Sequence, residues 1–203
     1  MGFTQSAPGT LLAPIPAVLV TVGRKTKEDV TETNLMTVAW AGTVCSDPPM
    51  VSISVRPERY SYAFIKETGE FVVNLTDRAM VEKTDFCGVR SGRDMDKFAA
   101  CGLKKTAAEG MAFAPAIAQS PLYLACRVEK ELPLGSHSMF VASIVSMGVR
   151  DDLMDADGRI CFEKADLVAY NHGTYYELGK ALGFFGFSVA APEIKKRRME
   201  QLK

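Results

Sequence analysis

Hydrophobic and polar positions alternate along much of this chain, in short runs that end at Gly, Pro, Asn or Asp. Residues 51–55 read V-S-I-S-V, a period of two that is typical of a strand with one face in a core. The other runs are rich in β-branched and apolar residues, which favour strands. The predicted strands cover residues 17–22, 37–41, 51–55, 71–75, 122–131, 139–149 and 167–170.

Helical patterns are few and short. Residues 61–66 and 78–86 predict helices, the second capped by Thr76 or Asp77. Two further segments predict exposed connections, residues 25–32 and 104–121. Many short strands with few helices indicate a mainly β protein, either a barrel or a sandwich. No G-x-G-x-x-G follows a strand, so the sequence does not support a dinucleotide-binding parallel sheet.

Length and charge narrow the class of protein. A chain of 203 residues suits one domain with a sizeable core. We expect that domain at residues 1–190 and a charged tail or helix at residues 191–203. Lysines plus arginines number 24, as do aspartates plus glutamates, so no global field favours nucleic acid. The apolar stretches are strand-sized, so we expect no signal peptide, no membrane span and a cytoplasmic protein.

The five cysteines are Cys45, Cys87, Cys101, Cys126 and Cys161, far apart and without a C-x-x-C pair. Their spacing excludes the familiar zinc and iron–sulfur motifs and argues against a disulfide framework. We expect small buried side chains in a reducing compartment. Cys45 stands apart because it lies within the segment that carries the candidate chemistry.

Residues 34–61 carry that chemistry. A polar run of small residues ends at Trp40, a Pro pair predicts a turn, and the strand that follows leads to Arg56, Arg59 and Ser61. Guanidinium groups bind oxyanions bidentately, and a hydroxyl completes such a site. The segment therefore predicts a site for a ring cofactor with a phosphate tail. The alternative is a solvated turn, since arginines usually lie at surfaces.

The same stretch resembles the FMN-binding split-barrel family of flavin reductases and flavoredoxins, and the likeness extends over residues 3–190. It continues at four further motifs: S-G-R-D-M-D-K-F at 91–98, C-G-L at 101–103, G-S-H-S-M-F-V-A at 135–142 and Y-Y-E-L-G-K-A-L-G-F-F-G-F-S-V at 175–189. The resemblance implies a split β-barrel, bound FMN and a homodimer with the flavin near the subunit boundary. A second subunit would also cover the apolar C-terminal motif.

The resemblance implies roles for particular residues. Arg56, Arg59 and Ser61 would hold the phosphate, with Tyr60 alongside. Lys97 would place a cation near the reduced ring. The ring itself would contact a set of residues from the polar run and the next strand: Asn34, Met36, Thr37, Val38, Ala39, Trp40, Thr43 and Ser54.

Three of these assignments have structural alternatives. Trp40 is either a ring contact or an ordinary core aromatic. Lys97 is either a flavin contact or a surface charge, and in the second case Asp94 and Asp96 would pair with Arg93 in an exposed network. His137 lies in G-S-H-S, where related flavin reductases have a loop like G-D-H-T. It is either a catalytic residue near the nicotinamide or a structural imidazole, and the missing acid makes efficient NAD(P)H use less favoured.

Three functions follow from this pattern. The first is an FMN-dependent oxidoreductase that passes electrons from NAD(P)H to free flavin or a ferric complex. The second is a flavoredoxin-type electron carrier that works with a redox partner protein. The third is a binding module of the same fold without a working flavin, which the arginines and the polar run argue against. No metal, nucleic acid or membrane enters any of them.

Overall fold

The computed structural model describes residues 2–202, and within that range the chain forms twelve strands in three antiparallel sheets. The strands are β1 (Ile15–Pro16), β2 (Val18–Lys25), β3 (Thr31–Val38), β4 (Ala41–Ser46), β5 (Pro49–Val55), β6 (Glu70–Asn74), β7 (Lys105–Thr106), β8 (Ala116–Ile117), β9 (Leu122–Leu134), β10 (His137–Val149), β11 (Val168–Tyr170) and β12 (Tyr175–Glu177). The α-helices are α1 (Tyr60–Thr68), α2 (Val81–Val89), α3 (Lys97–Ala100) and α4 (Pro192–Glu200).

The main sheet has seven strands in the order β3-β2-β6-β9-β10-β5-β4. Strands β3 and β4 form its two edges, yet only residues 39–40 separate them in the chain. The sheet must therefore curl until its edges meet. The Ser54 amide donates to the Trp40 carbonyl at 2.8 Å, which extends the β4–β5 pairing back into the bend. The enclosed side chains form one core, which includes Val20, Phe71 and Phe140. The result is an antiparallel barrel, which confirms the mainly β prediction.

Most predicted strands are confirmed, but the prediction of one strand over residues 37–41 is wrong. Strand β3 ends at Val38 and the chain bends before β4 begins at Ala41. The predicted connection over residues 25–32 is also too long. Arg24 and Glu32 pair across the β2–β3 ladder with Arg24 Nη2 2.9 Å from Glu32 Oε2, so charged side chains extend both strands and leave only residues 26–30 as the turn.

The helix predictions are confirmed with shifted ends. Helix α1 extends two residues beyond the predicted Lys66, and the second helix begins with a 3-10 turn at Arg78–Met80 that continues into α2. Asp77 caps this turn, because its carboxylate accepts a hydrogen bond from the Met80 amide at 3.1 Å. The predicted surface connection at 104–121 carries the two-stranded β7–β8 sheet.

A buried polar cluster fixes that connection to the barrel. Glu70 and Asn74 point away from the barrel core on β6, with exposures of 5% and 0%. The Glu70 carboxylate accepts hydrogen bonds from the Ala112 and Phe113 amides at 3.0 Å, and Asn74 Oδ1 accepts one from the Ile117 amide at 2.8 Å. Asn74 Nδ2 donates to the Leu19 carbonyl at 3.0 Å. We call Glu70 and Asn74 the β6 polar cluster.

The remaining helix, α4, forms within the predicted charged tail, has no buried residue and carries Arg197 and Arg198 in its last turn. No helix within residues 2–202 is long and apolar enough to cross a membrane.

Candidate functional site

A cleft of about 360 Å³ lies between the barrel and the segment that runs from α2 to α3. One wall comes from β3, the end of β5 and the start of α1, and the other comes from the end of α2 and the loop that leads to α3. Its lining residues are Asn34, Met36, Thr37, Arg56, Glu58, Arg59, Tyr60, Ser61, Cys87, Gly88, Arg90, Ser91, Gly92, Arg93 and Lys97. The volume falls in the range of about 300–1,000 Å³ that small-molecule sites occupy.

The two walls meet at Asn34. Its side-chain amide donates to the Ser61 hydroxyl at 2.8 Å, and both residues are buried. On the opposite wall Gly92 lies so close that a Cβ there would be 2.1 Å from Asn34 Oδ1. The absence of a side chain at Gly92 therefore lets the loop approach Asn34 this closely.

The cleft is strongly positive although the whole chain is neutral. Its lining contains Arg56, Arg59, Arg90, Arg93 and Lys97 but only one acid, Glu58. Within residues 2–202, Arg56 alone among these cations has a carboxylate within 4.0 Å, Glu58 at 3.5 Å. The surplus charge suits an anion, because a concave surface with one sign of charge concentrates ions of the other sign.

Two arginines are held in place across the cleft. Arg59 Nη1 donates to the Gly88 carbonyl at 3.3 Å, and Arg93 Nη1 donates to the Glu58 carbonyl at 3.1 Å. The Arg93 guanidinium also lies over the Tyr60 ring, 5.2 Å from its centroid. Backbone carbonyls leave the positive charges unneutralised, so these arginines are positioned and still available to an anion.

The first turn of α1 also favours an anion in the cleft. Its N-cap is Arg59, no side chain caps it, and its first turn contains no acid. The exposed amides of a helix start and the positive end of its dipole bind phosphate and carboxylate groups. Ser61 lies in this first turn, so a hydroxyl, a helix start and the Arg59 guanidinium line the same part of the cleft.

Lys97 is buried rather than exposed, which makes the surface-charge alternative wrong. Only 3% of it is exposed, and Nζ donates to the Cys87 carbonyl at 3.0 Å and the Arg90 carbonyl at 3.1 Å. Burial lowers the pKa of Lys97, and the nearby Arg59 lowers it further. Lys97 thus ties the end of α2 to the start of α3 while its ammonium group lines the cleft.

Asp96 takes no part in a pair with Arg93, since it caps α3 through the Phe98 and Ala99 amides.

His137 lies beside the cleft rather than in its lining. Ser138 pairs with Val55 in the β5–β10 register, which places His137 next to Arg56. Burial lowers the pKa of His137, and the positive charges of Arg56 and Arg59 add to this effect. Its Nδ1 is 2.9 Å from the Ser136 hydroxyl, the group that occupies the position of the acid in the G-D-H-T loop.

Several predicted ring contacts lie away from the described lining. Val38 is buried in the barrel core, Ala39 lies in the bend after β3, Thr43 lies on β4 and Ser54 lies on β5. Trp40 packs near His172 with 5.8 Å between ring centroids, and His172 Nε2 is 2.9 Å from the Leu12 carbonyl oxygen. His172 therefore holds the N-terminal segment against the edge of the barrel. The ring-contact role of these residues stays a prediction.

Sequence reasoning missed most of the second wall, namely Gly88, Arg90, Ser91, Gly92 and Arg93. The motif S-G-R-D-M-D-K-F contained the signal. It begins with Ser-Gly-Arg and leads into the capped helix α3. Loops of this composition before a helix often contact anions.

Comparison with known proteins identifies this fold. A family model described as a flavin reductase like domain matches residues 12–179. The chain belongs to the flavin reductase-like family. Its structure is similar to flavoredoxin of Desulfovibrio vulgaris (Miyazaki F), with a TM-score of 0.81, 31% identity, and coverage of 93% of this chain and 99% of that one. Flavoredoxin from Methanosarcina acetivorans gives a TM-score of 0.78 at 27% identity, over 90% of this chain and 95% of that one.

A longer relative shares part of the domain. A protein of Moorella thermoacetica described as a high molecular weight rubredoxin is 30% identical over 52% of this chain. The chain spans 45% of that protein. The resemblance noted in the sequence is thus confirmed, and the fold is the split barrel of the flavin reductases.

Proposed function

We propose that this flavin reductase-like protein binds FMN in the cleft and works as an oxidoreductase that passes electrons through it. The observation that carries the proposal is the cleft itself. Five cations and one acid line it, and the uncapped start of α1 opens into it. A terminal phosphate suits this arrangement better than a bridging pyrophosphate, so FMN is favoured over FAD.

Each part of the cleft has a role in binding. Arg59, Ser61 and the first amides of α1 hold the phosphate, and Arg56 adds a further positive charge. Asn34 is held by Ser61 and by the close approach of Gly92, so its carboxamide is fixed in orientation. Fixed polar groups bind a ring edge at a lower entropy cost than mobile ones.

When bound, FMN supplies a ring that takes up and gives back two electrons. The chain's own contribution is electrostatic. Lys97 and Arg90 keep positive charge in the cleft, which favours a ligand that becomes more negative on reduction. Lys97 is the residue to which the family resemblance assigns this role, and its burial means that solvent weakens its field little.

A second candidate function is a carrier that is reduced by a protein partner rather than by NAD(P)H. The flavoredoxin structures and the rubredoxin relative favour it. The Ser136–His137 pair favours it as well, because burial and then the charges of Arg56 and Arg59 lower the pKa of His137, and Glu58 offsets them only in part. In the reductase alternative, His137 would contact the nicotinamide.

We further propose a homodimer with the cleft near the subunit boundary. Its support is the apolar surface at both ends of the chain. Leu12, Leu182, Phe185 and Val189 are all at least 80% exposed, which a monomer rarely leaves uncovered. A light-scattering mass of one chain at micromolar concentration, with FMN bound, would reject the dimer.

One titration tests the central proposal. Purified protein added to FMN should quench its fluorescence with a stoichiometry of one FMN per chain, and FAD should bind more weakly. Adding NADH or NADPH anaerobically then separates the two functions. Rapid bleaching of the flavin absorbance supports the reductase, whereas bleaching by dithionite alone supports the carrier. Protein that leaves FMN fluorescence unchanged would refute flavin binding.

A further inference from the structure

Two cysteines meet at the second wall of the cleft, where Cys87 is one of the lining residues. Cys87 lies in the last turn of α2, and Cys101 directly follows α3, fourteen residues later. Their sulfur atoms are 3.8 Å apart, and neither cysteine is disulfide-bonded. No pattern in the sequence indicates this pair, because no spacing rule links two cysteines so far apart.

The fold holds the two thiols together without a covalent bond. Lys97 Nζ bridges the Cys87 and Arg90 carbonyls, which draws the end of α2 against the start of α3. Cys87 packs into an apolar cluster with Phe98 and Leu103, and Cys101 borders the same cluster. A disulfide has a sulfur–sulfur distance of about 2.05 Å, so the pair needs to close by less than about 2 Å from 3.8 Å. Side-chain rotation supplies much of such a movement.

The two thiols differ in access. Cys87 is 1% exposed, while Cys101 is only half-buried and reachable from solvent. Burial raises the pKa of Cys87 to about 12, the neighbouring Cys101 raises it as well, and Lys97 acts in the opposite direction. Thiolates are the reactive form, so Cys101 is the thiol that an external reagent meets first.

We infer that Cys87 and Cys101 form a reversible dithiol–disulfide site whose co-reactant is a low-molecular-weight disulfide. The Cys101 sulfur attacks the external disulfide, forms a mixed disulfide and releases one thiol. Cys87 then gives up its proton to solvent, attacks the Cys101 sulfur and releases the second thiol. Two protein thiols are oxidised and one external disulfide is reduced to two thiols. The reverse exchange restores the dithiol.

The position of this site gives the crosslink a structural consequence. The residues between the two cysteines include Gly92, Arg93 and Lys97, which form the second wall of the cleft. A bond between Cys87 and Cys101 joins the two ends of that wall and closes a short loop, which restricts its motion. The inference concerns the protein alone and does not depend on FMN binding.

Peptide mapping tests the inference directly. The full chain is incubated with glutathione disulfide at neutral pH, alkylated and digested with trypsin. Trypsin cuts after Lys83, Arg90, Lys97 and Lys104, so the crosslink appears as residues 84–90 joined to residues 98–104. The expected product is this joined pair, lost again after treatment with dithiothreitol. Cys45, half-buried and distant in sequence, reports that the reagent was active.

Single variants define the order of events. Cys87→Ser should stop at a glutathione adduct on Cys101, and Cys101→Ser should leave Cys87 unmodified. Cys45→Ser should form the Cys87–Cys101 crosslink as the wild type does. The inference is overturned if wild-type Cys101 ends with a stable glutathione adduct, or if both cysteines stay free while Cys45 is modified. Glutathione on Cys87 in the Cys101→Ser variant would overturn the role of Cys101 as the entry thiol.

Discussion

Two polar regions of this molecule each fix a loop to the barrel, and they do so in opposite ways. In the β6 polar cluster, the side-chain oxygens of Glu70 and Asn74 accept hydrogen bonds from backbone amides of residues 112–117. In the cleft, Arg59 and Arg93 donate to backbone carbonyls but keep their full positive charge. A buried polar group with all its partners stabilises a fold, whereas positioned charge without a counterion is suited to a ligand.

The difference predicts that mutations separate into two classes. Changes in the β6 polar cluster should lower stability and leave FMN affinity alone, while changes among the cleft arginines should do the reverse. Lys97 belongs partly to both classes, because it is buried and hydrogen-bonded like Asn74 and charged like Arg59.

The largest expected effect is on stability, from Asn74→Ala. The variant leaves the Ile117 amide and other buried groups without partners, so the free energy of unfolding should fall by about 2–4 kcal/mol. Urea denaturation measures it. Asn171→Ala is a matched control, since Asn171 Oδ1 has no hydrogen-bond partner among the described residues and its loss should cost less than about 1 kcal/mol. Equal losses in both variants would contradict the role of the cluster.

Arg59→Ala should give the reverse result. Removing one charge-assisted contact to a phosphate should weaken FMN binding by about 10–100-fold, while the unfolding free energy of the FMN-free protein changes by less than about 0.5 kcal/mol. Fluorescence titration measures the affinity. The control is Arg159→Ala, an arginine already paired with Asp155 and Glu163, which should bind FMN as the wild type does. A fall in stability without a fall in affinity would place Arg59 in the structural class.

Lys97→Met should change both the redox behaviour of bound FMN and the stability of the protein. Loss of the ammonium group should lower the two-electron potential of bound FMN by about 30–60 mV and slow its reduction. The pH dependence of stability is a second readout. Burial lowers the pKa of Lys97 in the folded chain below the ordinary lysine pKa. In the pH window between the two values, Lys97 is more protonated in the unfolded chain than in the folded chain.

The wild type should therefore gain stability as pH rises through that window, and Lys97→Met should gain less. Denaturant titrations of both proteins at a series of pH values measure the difference. Unchanged potential and identical pH profiles in the variant would show that Lys97 serves neither role.

The smallest effect concerns His137, whose pKa is lowered by burial and then by Arg56 and Arg59. Arg56→Ala should shift the pKa of His137 upward, and so should FMN, because its phosphate offsets the same positive charge. NMR titration resolves this easily, since the chain has only two histidines and His172→Gln assigns the other signal. A downward shift in either case would mean that His137 does not sense the charge of the cleft.

The sequence predicted the barrel well and the cleft only in part. Strands such as β5 and β10 carry a period of two that survives in the fold, so their existence could be read directly. The first wall, Arg56 to Ser61, lies in one continuous motif. The second wall does not, because Gly92 and Asn34 are distant in sequence and the Lys97 ammonium meets the Cys87 carbonyl only in the folded chain.

Local patterns also failed where two distant segments meet. The bend at residues 39–40 depends on closure of the barrel edges, and the place of Trp40 depends on His172, far along the chain. The Cys87–Cys101 contact depends on the packing of α2 against α3. None of these leaves a periodic signal, since periodicity reports only the face that a single element buries.

The most direct measurement compares the affinities of FMN and riboflavin, which differ only by the phosphate, in the wild type and in Arg59→Ala. If the surplus charge of the cleft holds the phosphate, the wild type should prefer FMN by at least about 10-fold and Arg59→Ala should lose most of that preference. Riboflavin affinity should be nearly equal in the two proteins. Equal binding of FMN and riboflavin by the wild type would contradict the assignment of the cleft as a phosphate site.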